Sequence, residues 1–174
     1  MDEWREVRPI SKVKGIIVLI LIVTVGLVVL IGSSVTYIGG DEVGIVEKKF
    51  GGGPLAEGKI IAARGENGIQ AKVLAPGWHL FYWPWQYNIV KEEITEIQEG
   101  YVGILQAADG KSLPPDTIYA PQWEDPDKMI DAQYFLTDGN GYRGPQLTVL
   151  KPSKYRLNTK LFTIKKVPVV DVMT

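Results

Sequence analysis

Residues able to do chemistry are few in this chain of 174 residues, and they do not converge. His79 is the lone imidazole and there is no cysteine, which excludes a multi-histidine metal site, disulfides, thiolate zinc sites and thiol nucleophiles. A Ser/His/Asp set needs an imidazole beside an activated hydroxyl. The stretch GWHLFYWPW around His79 supplies none, so His79 is expected as a turn residue bonding the backbone. Glu124, Asp125, Asp127 and Asp131 in EDPDKMID cluster as calcium ligands do, yet a calcium loop needs alternate acids, a central glycine and a closing glutamate. That spacing predicts an acidic helix start instead. GNGYRG at 139–144 spells GxGxxG, but dinucleotide binding requires a helix to begin there. Pro145 and the strand-like QLTVL follow, predicting a hairpin turn. No catalytic residue, cofactor or metal is indicated.

Charge narrows the partners further. Nineteen Lys and Arg are interspersed among 20 Asp and Glu, for a net charge of −1, so no concentrated basic face exists for nucleic acid.

The element that must position everything else is apolar. From Gly15 to Gly40 no residue is charged, and GIIVLILIVTVGLVVLIG within it is almost wholly aliphatic. A bilayer core of ~30 Å needs about 20 such residues in a helix, whose backbone groups bond within the segment. A transmembrane helix is expected over 15–38. The competing reading is a cleaved leader ending near Gly32, Ser33 and Ser34, but leaders have shorter apolar regions, roughly 7 to 15 residues. Arg5, Arg8, Lys12 and Lys14 precede the run and Asp41 and Glu42 follow it, so residues 1–14 are expected in the cytoplasm and the body outside, as a single-pass protein of the cell membrane. Trp4 and Tyr37 stand at the two headgroup levels.

Beyond residue 41 the patterning turns to β type. Strands are expected at 42–48, 60–63, 69–74, 78–83, 88–97, 101–107, 147–150 and 162–172, separated by the breakers GGGP, ENG, APG, ADG and DGNG. Only 125–136 predicts a soluble helix, with Pro126 in its first turn and Met129, Ala132, Gln133 and Leu136 on one face. The body also repeats. VGI at 43–45 returns at 102–104, GIQAKVLAP at 68–76 returns as GPQLTVLKP at 144–152, and IVKEEITEI at 89–97 matches IKKVPVVDV at 164–172. Three blocks in the same order predict two tandem β modules, 41–97 and 98–172, the second with an insertion at about 111–141. Such units bury apolar faces against a neighbour, which predicts side-by-side assembly or a longer parent chain with a third module after residue 172.

The densest cluster is GWHLFYWPWQY, with Trp78, Phe81, Tyr82, Trp83, Trp85 and Tyr87. Strand alternation buries half of these rings. The others are expected to form a subunit contact or, since amphipathic rings favour headgroups, to dip into the membrane interface.

EVGIVEKKFGG at 42–52 followed by APGWHLFYWP at 75–84 resembles the opening of Band 7 (SPFH: stomatin, prohibitin, flotillin) proteins. Glu42, Gly44, Glu47, Phe50, Gly51, Pro76, Gly77, His79 and Pro84 occupy the matching positions. The second module departs from that pattern, and the family's α/β remainder and coiled-coil tail have no counterpart here. The residues predict the fold class of one N-terminal transmembrane helix, then β-rich tandem modules, mainly antiparallel with at most one short helix, and the resemblance implies that this is the start of a larger α/β protein. It also implies a non-enzymatic scaffold: a large homo-oligomeric ring or cage, or one mixed with a paralogous subunit, seated on the lipid bilayer and governing access of membrane proteases or lipids. An extracytoplasmic adaptor or ligand-binding module on a single anchor is the alternative.

Overall fold

The computed structural model describes residues 10–169. Trp4, Arg5, Arg8 and the 170–172 end of the last repeat block lie outside them. Helix α1 (Ile10–Ser33) opens the chain, and from Val13 to Ser33 it is long and apolar enough to cross a membrane, about 30 Å at 1.5 Å per residue, with no part of it buried in the protein. Thr24 returns its hydroxyl to the Ile20 carbonyl, which disposes of the one polar side chain in mid-span. The span is shorter than the expected 15–38. Ser34 is fully buried, and Thr36–Ile38 form β1 of the β-rich body, paired with Gly77–His79.

The body is mostly β: β2 (Glu42–Lys48), β3 (Ile61–Ala62), β4 (Gly68–Gln70), β5 (Gly77–His79), β6 (Tyr87–Glu93), β7 (Thr95–Ile97), β8 (Tyr101–Ala107), then α2 (Pro126–Ile130), α3 (Ala132–Leu136), β9 (Gly144–Leu150), β10 (Ser153–Tyr155) and β11 (Phe162–Pro168). Two larger sheets carry it, β3-β4-β2-β6 and β11-β8-β9, each with a two-stranded partner, β1-β5 and β10-β7.

The two halves share one hydrogen-bonding plan. Gly44 opposes Lys91 and Gly103 opposes Lys166; Lys48 opposes Gly68 and Ala107 opposes Gly144; Thr36 opposes His79 and Thr95 opposes Tyr155. Gly44 bridges Leu74 as Gly103 pairs with Leu150. Side chains repeat too: the Gln70 amide donates to the carbonyls of Glu66 and Gly68, and that of Gln146 to Tyr142 and Gly144. Both repeated glycines are needed for packing. A Cβ on Gly44 would stand 2.9 Å from Ile38, and one on Gly103 would stand 2.5 Å from the matching Ile97.

This pairing moves the module boundaries. β7 was expected to close the first module, but it hydrogen-bonds β10, so it opens the second unit as β1 opens the first. The units therefore run from 36 and from 95. The helix expected at 125–136 is two short helices, one more than the fold class allowed. Asp131 breaks it with an extended backbone (φ −69°, ψ 99°), and its carboxylate caps α3 by accepting from Gln133 and Tyr134 N–H. Both helices still serve the core, through Met129, Ala132 and Phe135. The expected strand at 78–83 ends at His79, since the chain then turns toward the end of α1. GNGYRG links α3 to β9 and so is not a hairpin between strands; Gly141 lies flat against the Phe135 ring, where a side chain would not fit.

Candidate membrane interface and module clamp

The aromatic segment forms the loop by which the first unit rests on α1. Tyr82 N–H donates to the Ser34 carbonyl at 2.9 Å and Phe81 N–H to the Ser34 hydroxyl at 3.3 Å. The Trp83 indole N–H reaches the Leu30 carbonyl at 3.2 Å, taking one of the acceptors that a helix C-terminus leaves without an intrahelical partner. Phe81 holds φ +69°, an uncommon conformation for a residue with a Cβ, and these bonds hold it there. Trp83 stacks on Trp85 at 5.7 Å, Phe81 leans on Trp83, and Trp78 meets Tyr37 at 4.9 Å.

The rings divide in two. Tyr82 and Tyr87 turn inward, edge to face at 5.2 Å, against the small core of Ile38, Val46 and Leu74, and burial raises the Tyr82 phenol above its ordinary pKa. Trp78, Phe81 and Trp85 face outward, half exposed or more, in and beside the loop that meets the end of α1. His79 bonds the Ala75 carbonyl through its ring at 2.7 Å. The other residues of the Band 7-like pattern are spread around this unit. Glu42 accepts from Gly39 N–H, Gly77 supplies φ +129°, Pro76 and Pro84 flank the loop, and Phe50 stands exposed on the rim.

The second unit grips the first through the equivalent loop. The bonds that Gln86 and Tyr87 N–H make to the Trp83 carbonyl are repeated by Leu161 and Phe162 N–H to the Asn158 carbonyl, so Asn158 sits where Trp83 does. Asn158 is fully buried. Its amide donates to the Gln70 and Ala71 carbonyls of the first unit, at 2.9 and 3.1 Å, while its oxygen accepts from Lys160 and Leu161 N–H. Both side chains thus donate an N–H to a backbone carbonyl of the element beneath.

Asp109 makes the second clamp. Its carboxylate accepts from Ile60 N–H at 2.8 Å, Ile61 N–H at 3.0 Å and Gly110 N–H at 2.6 Å, with Lys59 Nζ at 3.2 Å. Burial alone would raise this carboxyl, but those three amides and the ammonium hold it below the usual carboxylate range. Lys160 and Thr159 lower Glu92 in the same way, against a smaller effect of burial. Ile61 and Ala71 close the contact by entering the second unit's core with Leu105, Phe135, Leu161 and Phe162.

No protein family model, curated protein or solved structure matches the chain.

Among the described residues no three His, Asp or Glu side chains are placed to hold a metal ion, and Asp125 and Asp131 are both engaged as helix caps. The insertion does form a groove of about 320 Å³, lined by Trp123, Asp125, Lys128, Tyr134 and Asn140 among others. Sequence reasoning missed Ser34, Asp109 and Asn158. Asp109 and Asn158 stand in turn-like stretches, ADG and LNTK, and a residue-by-residue alignment of the two repeats would have set them against Phe50 and Trp83.

Proposed function

We propose that the chain is a membrane-anchored, non-enzymatic scaffold subunit of Band 7 (SPFH) type. Copies of it, alone or with a paralogous subunit, assemble into a ring or cage that organises a patch of bilayer and governs access of membrane proteases or lipids. One observation carries the reading: the loop with which one unit grips the unit below is, in the first unit, rebuilt from tryptophan and phenylalanine and set on the end of the transmembrane helix. Rings with an apolar body and a polar edge are suited to that level of a membrane. The Band 7-like residues support it further, since Glu42, Gly44, Gly77 and His79 shape the backbone and packing of this unit. The basic flank before α1 favours a body outside the cytoplasm.

Gentle detergent extraction of the protein from its own membranes, followed by native mass measurement, tests the assembly. A particle of many subunits is expected, and a monomer would refute it. The groove in the insertion favours the second reading, a ligand-binding or adaptor module on a single anchor. That reading predicts a small oligomer and a partner lost on Trp123→Ala.

A further inference from the structure

The contact between the two units is head to tail. The first unit offers a face, made of the side chains of Ile61, Ile69 and Ala71 with the backbone N–H groups of Ile60 and Ile61, and the second unit covers it with Asp109, Asn158 and its core. A contact of this kind leaves the corresponding face of the second unit open. The repeat identifies it: Ala62 lies across from Gln70 in parallel pairing, and Ala120 lies across from Gln146 in the same way. Ile60 and Ile61 thus correspond to Ile118 and Tyr119, and Ala71 to Leu147.

Burial reverses at two of the corresponding pairs, Ile61 with Tyr119 and Ala71 with Leu147, while Ile60 (51% exposed) and Ile118 are exposed in both copies. Ile61 is 3% exposed and Ala71 1%, whereas Ile118 is 77% exposed, Tyr119 52%, Leu147 54% and Val149 45%. On β9 the side chains of Gln146, Thr148 and Leu150 turn inward, so Leu147 and Val149 share the outer surface. β9 is also an edge strand of its sheet, flanked by the 120–123 segment, where Ala120 bridges Gln146 and Trp123 N–H donates to the Thr148 hydroxyl. An exposed apolar surface on such an edge strand is costly to leave in water.

We propose that this face receives a third β module of the same construction, docked on the second unit as the second is docked on the first. Such a module would present a carboxylate to the amides of Ile118 and Tyr119 and a side-chain amide to the carbonyls of Gln146 and Leu147. A second copy of this chain does not fit. Its Asp109 and Asn158 are engaged with its own first unit, its Trp83 loop is engaged with α1, and Leu147 fills the space that Ala71 leaves for the second unit. The incoming module must therefore carry a shallower apolar surface than the second unit does. The inference rests on the face alone and is independent of ring formation.

Because the chain has no cysteine, Leu147→Cys introduces a unique thiol at an exposed position. In membranes of its own cell, that thiol should react with maleimide at least ~10-fold slower than after denaturation, as expected of a covered site. A photo-crosslinking residue at Val149 should join a peptide from the Asp- or Asn-bearing loop of another β module. Labelling at the denatured rate would overturn the proposal, and so would a crosslink to residues 118–149 of a second copy or to a partner without such a module. Val149→Cys alone repeats the labelling at the neighbouring outward position without a photoreactive side chain, with the same slowing expected, and guards against misfolding by either of the other variants.

Discussion

Asp109→Ala should loosen the two units more than any change to a charge on the surface. The carboxylate is 2% exposed and accepts three backbone N–H groups, two of which, on Ile60 and Ile61, belong to the other unit. Hydrogen bonds to a charged acceptor contribute about 1.5–3 kcal/mol each, and water entering the gap recovers part of that. The two bonds between units then place the loss at about 3 kcal/mol, on the order of a 100-fold change in the opening equilibrium. Lys59, whose side chain is 39% exposed, contributes little: Lys59→Met should cost under ~1 kcal/mol. Asp109→Asn falls between them, since its amide oxygen can still meet Ile60 and Ile61 while its NH₂ faces Gly110 N–H.

Denaturant unfolding of the full chain in detergent micelles gives the stability. Hydrogen exchange at Ile60 and Ile61 gives the local opening. Two results would refute the reasoning: Asp109→Ala costing under ~1 kcal/mol with exchange unchanged, or Lys59→Met costing as much as Asp109→Ala. The second would mean that ion pairing, and not capture of backbone amides, holds the units together.

Asn158→Ala should cost about 2 kcal/mol, and Asn158→Asp more than that, because a carboxylate would then face the Gln70 and Ala71 carbonyls; the order of the two unfolding midpoints is the check. Gly44→Ala and Gly103→Ala should each cost about 1–3 kcal/mol through overpacking against Ile38 and Ile97, and a companion Ile→Val at the contacted residue should recover part of it in the same assay. Asp109 and Glu92 both titrate below their ordinary values, 3.8 and 4.5, so their contribution is complete above pH ~4.5 and is lost as pH falls through the ordinary values toward the lower folded ones. Exchange protection at Ile60 and Ile61, corrected for the intrinsic pH dependence of exchange, should be flat from about pH 7 to 5 and decline below about pH 4.

Local periodicity made α1 and the longer strands legible. β8 has the bounds its pattern predicts, and β2 is recognisable although four consecutive residues, Val43 to Val46, are buried, because a strand central to its sheet shows an apolar run and not an alternation. The repeat was legible as well, since the glycines and glutamines that recur perform the same backbone task in each unit. Three features were not legible, for physical reasons. β7 belongs by composition to the strand before it, and only its partner β10 shows that it begins a new unit. Asp131 is equally good chemistry inside a helix start or between two helices, and the choice is made by Met129 and Phe135 both needing the core. The clamps at Asp109 and Asn158 join residues 48 or more positions apart, beyond the reach of any local pattern.

The aromatic segment differs so much from its repeat because the two equivalent loops rest on different surfaces. One loop position in each unit must donate an N–H to a carbonyl of what lies beneath, and both Asn158 and Trp83 do so. Beneath Asn158 is a packed protein surface, where a compact amide fits between strands and its own oxygen is satisfied by Lys160 and Leu161 N–H. Beneath Trp83 is the last turn of a helix whose sides are apolar and exposed, so the same donor is carried on a large ring, with Phe81 and Trp85 extending the apolar surface around it. An asparagine at position 83 would keep the hydrogen-bonding group and lose that surface, whereas a tryptophan at 158 could not enter the gap beside Ala71. The two loops have therefore diverged in side-chain size while keeping the backbone bonds that place them.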